Sequence, residues 1–252
     1  MIELRDITLS FAERTLISGA SARFERGSLV ALLGRNGTGK STLLRAISRL
    51  GRVQAGEIRV EGEVLDTIPA ATLARKIAFV NTERVDADAL SVRDLVAIGR
   101  SPYTDWMGRL TDEDEAKVVR AMEVAGVGAM AERRVETLSD GECQRVMIAR
   151  ALAQDTPAIL LDEPTSFLDL PNRYELCTLL RRLAHDENKC VIFSTHELDI
   201  ALSLADSIAL VDTPSLKHLT TEEMVQSGNI ERLFNSDCVA FNPTTRSIIL
   251  KR

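Results

Sequence analysis

The chain reads as an α/β fold built on a parallel sheet, and three observations carry that reading. Five short apolar runs, Leu29–Leu33, Ile77–Val80, Ala158–Leu161, Cys190–Ser194 and Ile208–Val211, have the length and continuous hydrophobicity of strands buried on both faces. Between Ser91 and Ala153 no such run occurs and the apolar residues take helical periods, so a block of helices is inserted between strands of the α/β core. With 252 residues, 45% apolar and 27% charged, and only 14 glycines and 7 prolines, the chain can bury one large core and is neither disordered, collagen-like nor low-complexity.

The elements follow in order. Ile2, Leu4, Ile7, Leu9 and Phe11 alternate in strand fashion, and Leu29–Leu33 is the first core strand. Leu43, Leu44, Ala46 and Ile47 form the apolar side of a helix after it, and Ile77–Val80 is the next strand. Thr111 with Asp114 opens a helix that carries Val118, Val119 and Met122 and stops at Gly126, while Ser139 with Glu142 opens another. Beyond Thr213 the pattern suggests helices around Glu222–Phe234 and a hairpin, Val239–Phe241 turning at Asn242-Pro243 and returning through Ile248–Leu250.

Composition narrows the function classes. The longest apolar runs are short against the roughly 18–20 residues that cross a bilayer. Glu3, Arg5 and Asp6 stand where a signal peptide would place its apolar core, so a cytoplasmic protein is expected. Cys143, Cys177, Cys190 and Cys238 form no Cys-x-x-Cys pair, which suggests neither a zinc site nor a disulfide framework. A net charge of −6 argues against a nucleic-acid partner.

Two segments carry chemistry on their own. Gly34, Arg35, Asn36, Gly37, Thr38, Gly39, Lys40, Ser41 and Thr42 fit the phosphate-binding pattern G-x-x-x-x-G-K-[ST], with a buried strand before and an apolar helix after. Glycines let backbone amides wrap a polyphosphate, the helix N-terminus adds partial positive charge, Lys40 reaches β and γ oxygens, and Ser41 can ligate Mg²⁺. The strand Ala158–Leu161 ends in Asp162 and Glu163. Beside a phosphate loop, Asp162 would hold Mg²⁺ directly or through water, and Glu163 could polarise the water that attacks the γ-phosphate. A third segment, Leu138-Ser139-Asp140-Gly141-Glu142-Cys143-Gln144-Arg145, reads by spacing alone as a capping box.

Taken together and in this order, the three segments resemble the ATP-binding-cassette family: phosphate loop, L-S-G-G-Q-like signature, Asp-Glu strand. The likeness continues through Ser166-Phe-Leu-Asp169, similar to the family's D-loop, and Thr195-His196, similar to its switch histidine. It implies a P-loop NTPase core with a parallel sheet, an N-terminal antiparallel β subdomain and an inserted helical signature subdomain. Residues 1–212 would be the ATPase domain, with the helical subdomain at about 84–155, and 213–252 a C-terminal extension. It also implies ATP with Mg²⁺, and a head-to-tail dimer in which Ser139, Gly141 and Glu142 of one copy cap the γ-phosphate held by the other. Asp169 would lie at the dimer interface, His196 would sense the γ-phosphate, and Phe11 would stack on adenine.

Two departures stand out. Asp140 and Glu142 replace a glycine and the glutamine of the signature, and Thr82 followed by Glu83 occupies the place of the glutamine that links Mg²⁺ to the helical subdomain. The resemblance makes Glu83, or Thr82, the candidate for that link. The stretch from Gly99 through Tyr103 and Trp106 to Thr111, with Ala151–Pro157, resembles the ATPase subunits of importers for iron–siderophores, haem and cobalamin. Such a subunit works on the cytoplasmic face of the membrane with two permease subunits and, indirectly, a substrate-binding protein. The competing readings are a repair- or translation-type cassette and a regulatory cassette that does not hydrolyse ATP.

Overall fold

The computed structural model describes residues 1–81, 89–166 and 168–251. The chain opens with β1 (Ile2–Phe11), β2 (Arg14–Phe24) and β3 (Ser28–Leu33), then α1 (Lys40–Ile47), β4 (Ala55–Val60), β5 (Glu63–Val64), α2 (Ala70–Leu73) and β6 (Ile77–Val80). The helical segment holds α3 (Val92–Ala97), α4 (Asp112–Val124) and α5 (Asp140–Ala153). The core resumes with β7 (Ala158–Leu161), α6 (Leu170–His185), β8 (Cys190–Thr195), α7 (Leu198–Leu204) and β9 (Ser207–Asp212). It ends with β10 (Ser215–Thr220), α8 (Thr221–Gln226), α9 (Asn229–Phe234), β11 (Val239–Asn242) and β12 (Ser247–Leu250).

The central sheet has the order β10-β9-β3-β8-β7-β6, parallel except for the β10–β9 pair. A second, antiparallel sheet has the order β2-β1-β4-β5. All five apolar runs are strands of the central sheet. β3 shows why they read as continuous hydrophobics: Leu29, Ala31 and Leu33 enter the core shared with the helical segment. Val30 and Leu32 enter a separate core with α1 and the antiparallel sheet.

The helix starts are set by local hydrogen bonds. Ser91 with Asp94, Thr111 with Asp114, Ser139 with Glu142 and Thr220 with Glu223 each form a reciprocal capping box. Val118 and Met122 of α4 are buried as expected, but Val119 is 40% exposed. One position away along a helix turns a side chain by about 100°, which takes Val119 off the buried stripe.

The tail holds the expected helices and hairpin, with one strand added. The helices around Glu222–Phe234 are two short ones, broken where Gly228 takes a φ of 71°. Strand β10 precedes them, an addition to the central sheet. Among the described residues no helix is long and apolar enough to cross a membrane.

Candidate functional site

The phosphate loop joins the carboxyl end of β3 to α1. Gly39 precedes Lys40 with a φ of 104°, and a Cβ there would come within 3.0 Å of Leu16 on β2. A Cβ on Gly34 would lie 2.7 Å from the Val211 carbonyl oxygen. Only glycine fits either place, so the loop passes close to both sheets. Lys40 is 4% exposed. Its Nζ donates to the carbonyls of Gly34 at 3.0 Å and Arg35 at 3.2 Å, which holds the ammonium inside the loop. Burial pushes it below the usual lysine range, while the carboxylates of Glu163 and Asp162 act in the opposite sense.

Parallel pairing brings the other chemistry to the same edge. Leu33 of β3 lies level with Thr195 of β8, and Leu161 of β7 with Phe193 of β8, so Asp162, Glu163 and His196 emerge beside the loop. Ser41 Oγ donates to Asp162 Oδ1 at 2.9 Å. Glu163 Oε1 lies 3.6 Å from Lys40 Nζ and 3.6 Å from His196 Nδ1. Glu163 has a φ of 40°, a left-handed backbone unusual for a residue with a Cβ. Its turn aims the carboxylate over the loop.

A cleft of about 600 Å³ is lined by Asn36, Gly37, Gly39, Lys40, Ser41, Thr42, Asp162 and Glu163, with Phe11, Arg14 and Leu16 at the β1–β2 hairpin. Phe11 is 72% exposed, an uncovered aromatic face at the mouth. The hydroxyl of Ser41 and the carboxylate of Asp162 are adjacent hard oxygens, a donor set that fits Mg²⁺ completed by phosphate and water.

Other predicted residues lie elsewhere. Ser139, Gly141 and Glu142 form no part of this cleft's lining. Glu142 Oε2 accepts from the Ser139 N–H at 2.8 Å and from its hydroxyl at 3.0 Å, and Oε1 pairs with Arg133 at 2.8 Å. Those bonds hold its carboxyl below the usual range, the Ser139 N–H first and then Arg133. Asp169 caps α6, accepting from the Asn172 N–H at 3.2 Å. Arg35 leaves the cleft, its Nη2 donating to the Leu233 carbonyl of α9 at 2.5 Å. Thr38 spans its own turn, Oγ1 donating to the Arg35 carbonyl at 2.9 Å. Thr82 and Glu83 lie outside the described residues.

Sequence reasoning passed over four residues. Arg14 and Leu16 line the cleft from an irregular strand. Ser194 holds Asp162 at 2.7 Å, and Glu197 joins the loop after Glu163, through Thr165 Oγ1 at 3.0 Å, to Arg173 of α6. The one signal for Ser194 and Glu197 was proximity to Thr195-His196, and for Arg14 and Leu16 proximity to Phe11.

A phosphate loop facing an acidic strand end at the carboxyl edge of a parallel sheet defines a P-loop NTPase. A family model described as ABC transporter matches residues 17–166. The achromobactin transport ATP-binding protein of Dickeya dadantii is 36% identical over 238 residues, 94% of this chain and 88% of that one. A metal-chelate type ABC transporter in an inward-facing conformation, 30% identical, superposes with a TM-score of 0.81 over 92% of this chain and 88% of that chain. A bacterial ABC transporter cassette solved as a dimer, 25% identical, gives 0.77 over 88% and 99%. The chain belongs to the ABC transporter family and is an ATP-binding subunit of that family, an ATPase.

Proposed function

We propose that the chain powers an importer of a metal chelate of the iron–siderophore, haem or cobalamin kind, as one of two ATPase subunits beneath two permease subunits supplied with cargo by a binding protein. The names and coverage of its relatives support this reading. Residues 1–212 act as the catalytic unit, with residues 84–155 as its helical insertion. Residues 213–252 form an extension that touches the phosphate loop through Arg35 and through Thr213 Oγ1, which donates to the Thr38 carbonyl at 3.2 Å. The subunit works at the cytoplasmic face, where Trp106, 92% exposed on the helical insertion, belongs to the permease-facing side.

The observation that carries the chemistry is Glu163, its carboxylate set 3.6 Å from both Lys40 and His196 over the loop. Loop amides and Lys40 hold the triphosphate. Glu163 accepts a proton from water as its oxygen bonds to the γ-phosphorus, and the bond from that phosphorus to the bridging oxygen breaks, releasing ADP and phosphate. His196 lies beside Glu163 to contact the γ-phosphate. Mg²⁺, held by Ser41 and Asp162, neutralises phosphate charge when bound.

The signature acts in trans in a head-to-tail dimer, with Asp169 at the interface. Ser139 and the start of α5 face the partner's phosphate. Glu142 adds little repulsion there because its charge is engaged by its own cap and Arg133. The link from metal to helical insertion falls to Glu83, with Thr82 as the alternative.

Glu163→Gln tests the assignment. ATP turnover should fall about 10²–10⁴-fold with ATP binding retained, as for loss of a positioned base. Turnover at the unmodified rate would remove Glu163 as the base and leave the hydrolysis to another group.

A further inference from the structure

We infer that Ser194 is a positioning residue of the ATPase site: its hydroxyl ties the carboxylate of Asp162 to the backbone of Glu163 and sets both acids in place together. This rests on the ATPase reading and adds a residue to it.

Ser194 sits near the end of β8 with 0% exposure. Its Oγ donates to Asp162 Oδ1 at 2.7 Å and accepts from the Glu163 N–H at 2.8 Å. A hydroxyl has one proton to give, so the bond to Asp162 uses it and leaves the lone pairs for the amide. The two bonds support each other.

The acids need this help unequally. The Asp162 N–H is held by the sheet, donating to the Val80 carbonyl at 2.8 Å. Glu163 has left the sheet for a φ of 40°, a conformation that costs an L-residue energy and persists only where its surroundings impose it. The Ser194 bond is what fixes its amide. Asp162 Oδ1 also accepts from Ser41 at 2.9 Å, but the Ser41 oxygen would be drawn to Mg²⁺ when the metal binds. Ser194 is buried and keeps its bond in either case, so it orients the carboxylate from behind as a second-layer partner does. Without the hydroxyl, the part-buried Glu163 amide loses its partner, and turning that peptide to find another moves the carboxylate that receives the proton.

The test compares Ser194→Thr with Ser194→Val in the full chain, side chains of matched shape that differ in the hydroxyl, with Ser194→Ala as a smaller control in case the added methyls disturb β8. Fluorescent-nucleotide displacement measures ATP affinity in EDTA and across a Mg²⁺ titration, and steady-state assays separate kcat from KM. Ser194→Thr should stay within about twofold of the unmodified chain, while Ser194→Val and Ser194→Ala raise the half-saturating Mg²⁺ about tenfold. In those two variants kcat should fall about 10–100-fold with metal-free ATP affinity unchanged. Equal Mg²⁺ requirement and kcat with and without the hydroxyl would overturn the inference. So would equal losses of metal-free and metal-dependent binding, the mark of a residue that only supports the fold. Glu163→Gln measured in parallel keeps the two readings apart. If it turns over normally the reading of Glu163 as the base fails, whereas if it is inactive beside normal Ser194→Val and Ser194→Ala variants, only the role of Ser194 fails.

Discussion

Phe11 shows how a single side chain is read twice. In the sequence it ends an alternating strand and, by the family resemblance, stacks on adenine, and in the structure it is 72% exposed at the mouth of the cleft. An uncovered ring contributes little to folding and is available to stack on a base. Phe11→Ala should therefore leave stability nearly unchanged and weaken ATP binding by about 1–3 kcal/mol, about 30-fold at the centre of that range. Fluorescence titration with ATP and its inosine and guanosine counterparts checks this, since a stacking contact accepts any base. Unaltered affinity for all three would remove Phe11 from the site.

At the scale of elements, the helical insertion is clasped by one buried ion pair. Arg100, 2% exposed, donates Nε to Asp114 Oδ1 at 2.8 Å and Nη1 to the Ala153 carbonyl at 2.7 Å, and its guanidinium lies 3.9 Å from the Tyr103 ring centre. It thereby joins the start of α4, the end of α5 and the Tyr103 turn. Removing one partner of such a pair strands the other, so Arg100→Met should cost about 3–5 kcal/mol, read by urea denaturation. The Thr111 backbone N–H and hydroxyl, with Arg100, bring the Asp114 carboxyl from 3.8 down to about 2. Because the folded value is the lower one, this stabilisation is complete above 3.8 and is lost as pH falls towards about 2. Asp114→Asn should be less stable at neutral pH and should lose less on acidification through that window. Parallel stability curves for the two proteins would contradict the pairing.

At the scale of the whole molecule, the proposed head-to-tail dimer makes the site half of a working one. Ser139, Gly141 and Glu142 are absent from the lining of the cleft formed by their own chain. Mixing Lys40→Ala subunits with Ser139→Arg subunits yields heterodimers with one site damaged on both sides and one site intact. With Glu163→Gln added to both subunits to block hydrolysis, such heterodimers should retain one ATP per dimer after rapid desalting, and neither homodimer should retain any. Heterodimers purified through two different tags that retain none would contradict the trans arrangement.

What the sequence by itself determined is what lies contiguous along it. The phosphate loop from Gly34 to Thr42, the acidic end of β7, the capping boxes at Thr111 and Ser139 and the five core strands are each written within a few residues, because local hydrogen bonding and burial on both faces act over that range. Strands β2 and β4 escaped notice for the converse reason. Register shifts interrupt the pairing of β1 with both, and Gly19 and Gly56 take positive φ, so the two-residue period is broken. Only the tertiary structure decided which distant groups meet. Ser194 reaches Asp162 across 32 positions and Ser41 reaches it across 121, brought level by the parallel order of β3, β8 and β7. Sheet order is set by how the two cores pack, a sum over many weak contacts that no short stretch of sequence records.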